Sequence, residues 1–254
     1  MSTCLSLPDS TSPRASALPL RRSGSDRVKE HQGALPILQE YFDALFAARG
    51  PQNWWPGRTA FEIIVGAILV QNTAWTNAAR AIGNLREAGL LSPTAIEKVP
   101  LGKLKRLVRP SGYYRQKALK LKAFVRFVRQ NYGGSLKAMF RTSTTQLREE
   151  LLEVHGIGPE TADSILLYAG SHPVFVVDAY TRRILERHGL AHGKESYEGV
   201  RGLFEQSLPK DAQLYNEFHA LIVYTGKHHC TNRAPVCSTC ALRPLLQRPV
   251  EGSR

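Results

Sequence analysis

Hydrophobic residues recur at helical spacing along most of the chain. A first predicted helix carries its apolar face at Leu35, Leu38, Phe42 and Leu45, and the Gly50-Pro51 pair ends it. After a loop that contains two tryptophans, the apolar run from Phe61 to Val70 predicts a buried helix. Thr59 stands three residues before Glu62, which is the spacing of a capping box at the start of that helix.

The same pattern continues to the C-terminal third. Ser92-Pro93 marks another helix start, and residues 116–132 carry apolar positions at helical spacing before Gly133-Gly134. Ser143 and Gln146 form a second candidate capping box. The inner face of a late helix is predicted at Leu214, Phe218, Leu221 and Ile222. Val174 to Val177 is a short apolar run that stands alone, so an all-α fold with short loops is predicted.

Composition narrows the class of partner. The chain has 254 residues, 43% of them hydrophobic, and a formal net charge of +13. Such a charge indicates a polyanionic partner, most simply nucleic acid, although a merely soluble basic protein is the alternative. No apolar run is long enough for a bilayer, so no membrane partner is expected. Residues 1–33 are rich in Ser, Pro and Arg and are predicted to be a disordered basic tail without a secretory pattern.

The most informative segment is a predicted hairpin between two helices. An apolar helix ends near Val154, Gly156-Ile157-Gly158 turns the chain, and a new helix begins at Pro159 or Glu160. Two glycines permit positive φ angles and close approach of another backbone, and the new helix offers free N–H groups that can hold a phosphate. The alternative is an ordinary helical hairpin with a glycine C-cap.

An aspartate follows this hairpin at a fixed distance. Asp178 lies twenty residues after Gly158, in Val177-Asp178-Ala179-Tyr180. Hairpin, spacer and aspartate together resemble the helix-hairpin-helix (HhH-GPD) motif of the endonuclease III superfamily of base-excision DNA glycosylases, from about Leu35 to Cys240. The resemblance implies that Asp178 is catalytic; the alternative is that it only caps the helix that begins at Ala179.

Position 160 bears on the type of reaction. Bifunctional members of the superfamily carry a lysine shortly after the hairpin, and its amine forms a Schiff base with the sugar. The matching residue here is Glu160, which cannot do so, and the resemblance therefore implies monofunctional hydrolysis. Glu160 adds negative potential to the site or is simply an acid favoured by the first turn of a helix, and the second interpretation is slightly preferred.

Three tryptophans surround the predicted buried helix. Trp54, Trp55 and Trp75 suit a pocket for a flipped base, or they fill gaps in the core. The segment from Trp54 to Thr73, together with Glu160, resembles the 3-methyladenine DNA glycosylase III subgroup, which implies alkylated purines such as 3-methyladenine as substrates. Aromatic faces attract such cationic bases.

The resemblance also implies DNA-binding residues. They are Gln71, which would fill the gap left by the flipped base, Tyr113, which would wedge between the opposite bases, and Gly156, Ile157, Gly158 and Thr161 of the hairpin. Gln71 as a helix-end hydrogen bond and Tyr113 as an exposed loop aromatic are the alternatives. Lys117, Lys120 and Lys122 contact phosphates or, as preferred here, form the solvated face of their helix.

A cysteine cluster near the C-terminus resembles part of an iron–sulfur loop. Cys230, Cys237 and Cys240 have the spacing of the endonuclease III loop, but Leu246 stands where the fourth cysteine is expected. His228 or His229 could complete a [4Fe–4S] cluster or a zinc site around these three thiolates. A cluster with an incomplete ligand set and a loop without metal also remain open. So few cysteines do not form a disulfide framework, which favours an intracellular protein.

These observations give one overall expectation. The resemblance implies a lobe of residues 34–58 and 173–254 that includes the cysteine loop 230–246, and a helical barrel lobe of residues 59–172. The partner is expected to be double-stranded DNA with a damaged base, bound by a monomer in a bacterial cytoplasm and associated with the nucleoid. A bifunctional glycosylase/lyase that uses another amine and a non-catalytic DNA damage-binding protein are the alternatives.

Overall fold

Helix-forming segments punctuated by Gly, Pro and Ser fold as helices. The structure, a computed structural model, describes residues 36–246, and no β-strand occurs among them. The predicted all-α fold is confirmed; residues 1–33 and Leu35 lie outside the described part. The helices are α1 Ile37–Arg49, α2 Ala60–Leu69, α3 Trp75–Glu87, α4 Pro93–Lys98, α5 Leu101–Leu107, α6 Tyr114–Tyr132, α7 Leu136–Met139, α8 Thr144–Leu152, α9 Pro159–Ser164, α10 Ala179–Arg187, α11 Tyr197–Ser207 and α12 Ala212–His228. No helix in residues 36–246 is both long and apolar enough to cross a membrane.

Side-chain caps fix several of the helix starts. Thr59 Oγ1 accepts a hydrogen bond from the Glu62 amide at 3.2 Å, and Ser143 Oγ accepts one from the Gln146 amide at 3.4 Å. The predicted N-caps are therefore confirmed. The second hydrogen bond of a capping box, from the N-cap amide to the side chain three residues later, is replaced in both cases. The Glu62 carboxylate pairs with Arg86, and the side-chain amide of Gln146 donates to Glu150. The side chains of Glu62 and Gln146 thus bind other side chains and not the N-cap residues of their own helices.

Two helices form the framework of the core. Helix α2 is apolar on nearly all sides and packs against α3, α6 and α9, while α12 packs against α1 and α10. A helical turn with π geometry, Ile165–Ala169, directly follows α9 and contacts both α2 and α12. The chain thereby brings the end of the hairpin to the place where α2 and α12 come close. The predicted division into two lobes stays a prediction.

The lysines of α6 do not form a solvated face. Lys117 is buried and its ammonium donates to the carbonyl oxygens of Leu69 at 2.9 Å and Ser111 at 2.6 Å. Lys122 donates to the carbonyls of Glu97 and Val99. The preferred interpretation was wrong because other helices end against this face, and their free carbonyls need donors.

The lone apolar run after the π turn is a buried, extended connection. The Phe175 amide donates to Glu205 Oε1 at 3.0 Å, and the Val177 amide donates to the Tyr197 hydroxyl at 3.3 Å. These side chains replace the hydrogen bonds of a sheet. These hydrogen bonds fix the backbone path of residues 174–177 through the core. The segment therefore places Asp178 at the start of α10.

Candidate active site

The helical hairpin consists of α8, a tight turn and α9. Gly156 has a φ of +81°, and a Cβ at this residue would lie 2.5 Å from side-chain carbons of Lys120. Gly158 has extended backbone with a φ of −96°, and a Cβ there would meet nothing within 4 Å. Positive φ is therefore needed only at Gly156, and the atoms that approach it belong to a lysine side chain instead of a backbone. Helix α9 begins at Pro159, as predicted.

A cavity of about 850 Å³ lies beside this hairpin. Most of the predicted site residues line this cavity, and they come from four separate parts of the chain. They are Trp54, Trp55, Gln71, Trp75, Gly156, Gly158, Glu160, Thr161 and Asp178. Two of the predicted DNA-binding residues do not line it. The Ile157 side chain is buried in the core, and Tyr113 stands 72% exposed at the start of α6 with a φ of +43°. Any contact of Tyr113 with a ligand would therefore occur outside the cavity.

The Asp178 carboxylate is fixed at one of its two oxygens. Oδ1 accepts hydrogen bonds from the Thr181 amide at 2.8 Å and from Thr181 Oγ1 at 3.0 Å. Asp178 is thus the N-cap of α10 and also lines the cavity, so the capping role does not exclude a chemical one. Its other oxygen, Oδ2, lies 3.6 Å from Nε2 of His219.

Glu160 is the second carboxyl group of the cavity. Surrounding protein atoms and the nearby charge of Asp178 raise the pKa of Glu160 to about 7, while Arg182 acts in the opposite direction. Residue 160 is nevertheless exposed to solvent. The two carboxyl groups therefore need not carry full charge together near neutral pH, because ionising both beside each other is unfavourable.

An aromatic wall forms one side of the cavity. The ring centroid of Trp55 lies 5.2 Å from that of Trp75 and 5.7 Å from that of Trp54, with nearly perpendicular planes. The ring centroid of Trp55 also lies 5.0 Å from that of Tyr168, with an interplanar angle of 34°. These are favourable geometries for aromatic pairs. The wall is therefore a cluster of contacting rings, and the face of one ring can serve as a stacking site for a base.

The loop that carries two of these tryptophans is held by α12. Glu217 accepts hydrogen bonds from the backbone amides of Gln52 at 2.6 Å and Asn53 at 3.0 Å. A carboxylate that binds two successive amides fixes the direction of the chain, and the tryptophans follow directly. Lys227 lies in the last turn of α12, and its ammonium is 5.8 Å from the centroid of the Trp54 ring.

Gln71 connects the end of α2 to the hairpin. Its amide nitrogen donates to the Gly156 carbonyl at 3.1 Å and to Thr161 Oγ1 at 2.8 Å, and its amide oxygen accepts from the Lys120 ammonium. The sequence indicated a polar residue at a helix end but not these partners. Gln71 bridges two elements on the rim of the cavity.

Two buried polar residues of the site were not predicted. Tyr168, in the π turn, and His219, in the middle of α12, are 7% and 4% exposed, and the Tyr168 hydroxyl lies 2.5 Å from His219 Nδ1. Both occupy inward-facing positions that the helical pattern predicts to be core, and no short motif connects them. A histidine on an apolar helix face is the one sequence signal that could have indicated His219.

The cysteine loop does not present the ligands of a four-thiolate cluster. Cys230, Cys237 and Cys240 border one small cavity, but Leu246 offers no ligand, and the described residues contain no group of three or more metal-binding side chains placed around a common point. His229 Nδ1 lies 3.3 Å from Thr239 Oγ1. Arginines of α10 hold the loop: Arg183 donates to the Cys230 carbonyl, and Arg187 donates to the carbonyls of Thr231 and Asn232.

Comparison with known proteins agrees with this geometry. A protein of Methanocaldococcus jannaschii that is assigned as a DNA repair glycosylase is 45% identical over 209 residues, which are 82% of this chain and 94% of that protein. The structure of Helicobacter pylori 3-methyladenine DNA glycosylase (MagIII) bound to 1,N6-ethenoadenine superimposes with a TM-score of 0.65 at 31% identity, over 75% of this chain and 97% of that one.

A solved structure with lower sequence identity to this chain has the same fold. An endonuclease III–DNA complex superimposes with a TM-score of 0.71 at 22% identity, over 84% of this chain and 95% of the other. The sequence model of the HhH-GPD superfamily of base excision DNA repair proteins matches residues 65–210, which include the hairpin, Glu160 and Asp178. The chain therefore belongs to the HhH-GPD superfamily and is a DNA repair glycosylase of that family.

Proposed function

We propose that this glycosylase is monofunctional and hydrolyses the N-glycosidic bond of alkylated purines such as 3-methyladenine. The observation that carries the proposal is the composition of the cavity: a fixed Asp178 carboxylate and an aromatic wall, with Glu160 where bifunctional relatives have an amine. A carboxylate cannot form a Schiff base with the sugar, so water is the nucleophile.

The main requirement of the reaction is a negatively charged group at a fixed position near the sugar. As the bond from C1′ to the base breaks, the sugar becomes an oxocarbenium ion, which Asp178 stabilises across the cavity. The bond electrons go to the base; an alkylated purine carries positive charge and leaves neutral, so no general acid is required. Water then bonds to C1′ and loses its proton to a carboxylate.

The aromatic wall supplies the selectivity in this proposal. A flipped base stacks on indole faces, and a cationic base gains about 0.5–2 kcal/mol from the quadrupole of the rings. The Asp178 carboxylate and, when it is ionised, the Glu160 carboxylate line the same cavity and add negative potential. The ethenoadenine-bound MagIII structure, of a 3-methyladenine DNA glycosylase related at 31% identity, supports a purine adduct as the ligand class.

Double-stranded DNA is proposed to lie across the cavity mouth. The free amides at the start of α9 hold a phosphate, in keeping with a helix that begins at an open Gly158. Gln71 enters the gap of the flipped base, and the exposed Tyr113 wedges between the bases of the opposite strand. In this arrangement Gln71 exchanges its hydrogen bonds with the hairpin for bonds with the DNA.

A glycosylase/lyase that uses a different amine is the second candidate. Lys120 and Lys227 both line the cavity, and burial lowers the pKa of Lys120. Borohydride reduction traps an imine only if an amine attacks the sugar. We expect no covalent adduct with wild type; a Glu160→Lys variant serves as a positive control, because it restores an amine at the matching position. A wild-type adduct that disappears in Lys120→Met or Lys227→Met would favour the lyase.

The experiment that tests the proposal is analysis of free bases. Purified protein is incubated with methylated duplex DNA, and the released bases are separated by chromatography. Free 3-methyladenine without strand cleavage is expected. Release of only oxidised or deaminated bases from a lesion panel would contradict the alkyl-purine assignment, and binding with no release of any base would favour a damage-binding protein.

A further inference from the structure

A buried tyrosine–histidine pair lies directly behind Asp178. Tyr168 OH and His219 Nδ1 are 2.5 Å apart, and both residues are almost fully buried. Burial raises the pKa of Tyr168 well above its usual range, with the charges of Asp178 and Glu160 adding to the effect, so its hydroxyl keeps its proton. A hydroxyl that donates to Nδ1 leaves the proton of a neutral imidazole on Nε2.

Nε2 of His219 lies near the second oxygen of the Asp178 carboxylate. The distance from His219 Nε2 to Asp178 Oδ2 is 3.6 Å, and Nε2 has no hydrogen-bond partner within the described chain. The other carboxylate oxygen is already saturated by Thr181. A buried donor that stops just short of an acceptor is costly, and catalytic hydrogen bonds of this kind shorten when a substrate occupies the site.

Resting on the proposed hydrolytic function, we propose that His219, oriented by Tyr168, is a positioning residue that holds Asp178 Oδ2 toward the sugar. A neutral donor suits this task, because it fixes the carboxylate without cancelling the negative charge that stabilises the oxocarbenium ion. Burial lowers the pKa of His219, which outweighs the opposite influence of Asp178 and keeps the ring neutral.

The pair also connects the base pocket to the carboxylate. The Tyr168 ring contacts Trp55 of the aromatic wall at 5.0 Å, while its hydroxyl holds His219. Tyr168 thus lies in contact with the base-stacking wall through its ring and with His219 through its hydroxyl.

A second tyrosine–histidine pair provides a matched control. Tyr41 OH lies 2.7 Å from His188 Nδ1, and both side chains are buried, but neither lines the cavity that contains Asp178. If the pair behind Asp178 serves stability alone, the equivalent variants of both pairs should change base release equally.

The test measures single-turnover base release from methylated duplex DNA and, separately, DNA affinity. His219→Phe is expected to slow release by about 10–100-fold at saturating enzyme with unchanged Kd, as a misplaced catalytic group does. His219→Gln, which retains a donor, should recover most of the rate, and Tyr168→Phe should lose about tenfold. His188→Phe and Tyr41→Phe should release base at the wild-type rate. Equal rates for His219→Phe and His188→Phe would overturn the proposal.

Nitrogen-15 spectra of the folded protein give a readout without activity. His219 is expected to show a protonated Nε2 and a bare Nδ1, and its Nε2 resonance should move in Asp178→Asn. The opposite tautomer, or an unmoved resonance, would contradict the inference. If wild type releases no base at all, the proposed function fails, while these resonances still decide whether His219 offers its proton to Asp178.

Discussion

Glu160 and Asp178 place two carboxyl groups in one cavity, and the charge of Asp178 acts on Glu160. Desolvation by the surrounding protein is the larger cause and the charge of Asp178 the smaller one, and together they raise the pKa of Glu160 to about 7 from an ordinary value of 4.5. Below pH 4.5 the Glu160 proton is bound in the folded and in the unfolded chain. As the pH rises towards 7, the unfolded chain releases the proton first, so the folded state loses stability across this window.

Replacement of Glu160 by glutamine removes this titration. The melting temperature of Glu160→Gln relative to wild type should therefore increase between pH 4.5 and about 7.5 and then remain constant. Glu153→Gln, at an exposed position directly after α8, is the control and should follow wild type. Parallel melting curves of wild type and Glu160→Gln over this range would show that the carboxyl group titrates normally.

Tyr113 is an exposed side chain with a backbone of left-handed conformation. Tyr113→Ala should leave the free energy of unfolding almost unchanged, because the ring contributes little to the core. If the ring wedges into the duplex, base release from duplex DNA should fall roughly tenfold, which corresponds to about 1.4 kcal/mol. Release from single-stranded methylated DNA should be retained. Leu119→Ala, at an exposed apolar residue of α6, is the control; an equal effect of both variants on duplex DNA would argue against a wedge.

Two helical glycines should respond in opposite ways to alanine. A Cβ at Gly226 would lie 2.4 Å from the Tyr180 ring, whereas a Cβ at Gly83 would meet nothing within 4 Å. Gly226→Ala should therefore destabilise the fold by about 1–3 kcal/mol through overpacking. Gly83→Ala should stabilise it by about 1 kcal/mol through helix propensity. Urea denaturation measures both, and a stabilised Gly226→Ala would mean that Tyr180 moves freely.

The cysteine loop is predicted to depend on arginine more than on its thiols. Arg187 donates to the carbonyls of Thr231 and Asn232 at 2.6 and 2.9 Å and to Cys230 Sγ at 3.3 Å. Arg187→Ala should cost about 2 kcal/mol of unfolding free energy, and Cys237→Ser only about 0.5 kcal/mol. The result would be reversed if the thiols hold a cluster: Cys237→Ser would then be the more destabilised variant and would lose visible absorption.

The sequence predicted the parts of the site that lie close together along the chain. The hairpin, the cap at Asp178 and the start of α9 each depend on local residue chemistry, and all three were found. Tyr168 and His219 were missed because their contact joins residues far apart in sequence, and each lies at a position that helical spacing assigns to the core. Lys117 and Lys122 were misjudged for a related reason, since periodicity cannot show where other helices end. The roles of Gln71, Tyr113 and the tryptophans stay predictions.

The most direct test of the account is Asp178→Asn under single-turnover conditions. Asparagine retains the helix cap that Thr181 binds, so folding and DNA affinity should be preserved while the negative charge is lost. We expect release of 3-methyladenine from methylated duplex DNA to fall by about 10²–10³-fold with Kd unchanged. Release at the wild-type rate by a variant that still binds DNA would contradict the assignment of Asp178 as the catalytic carboxylate.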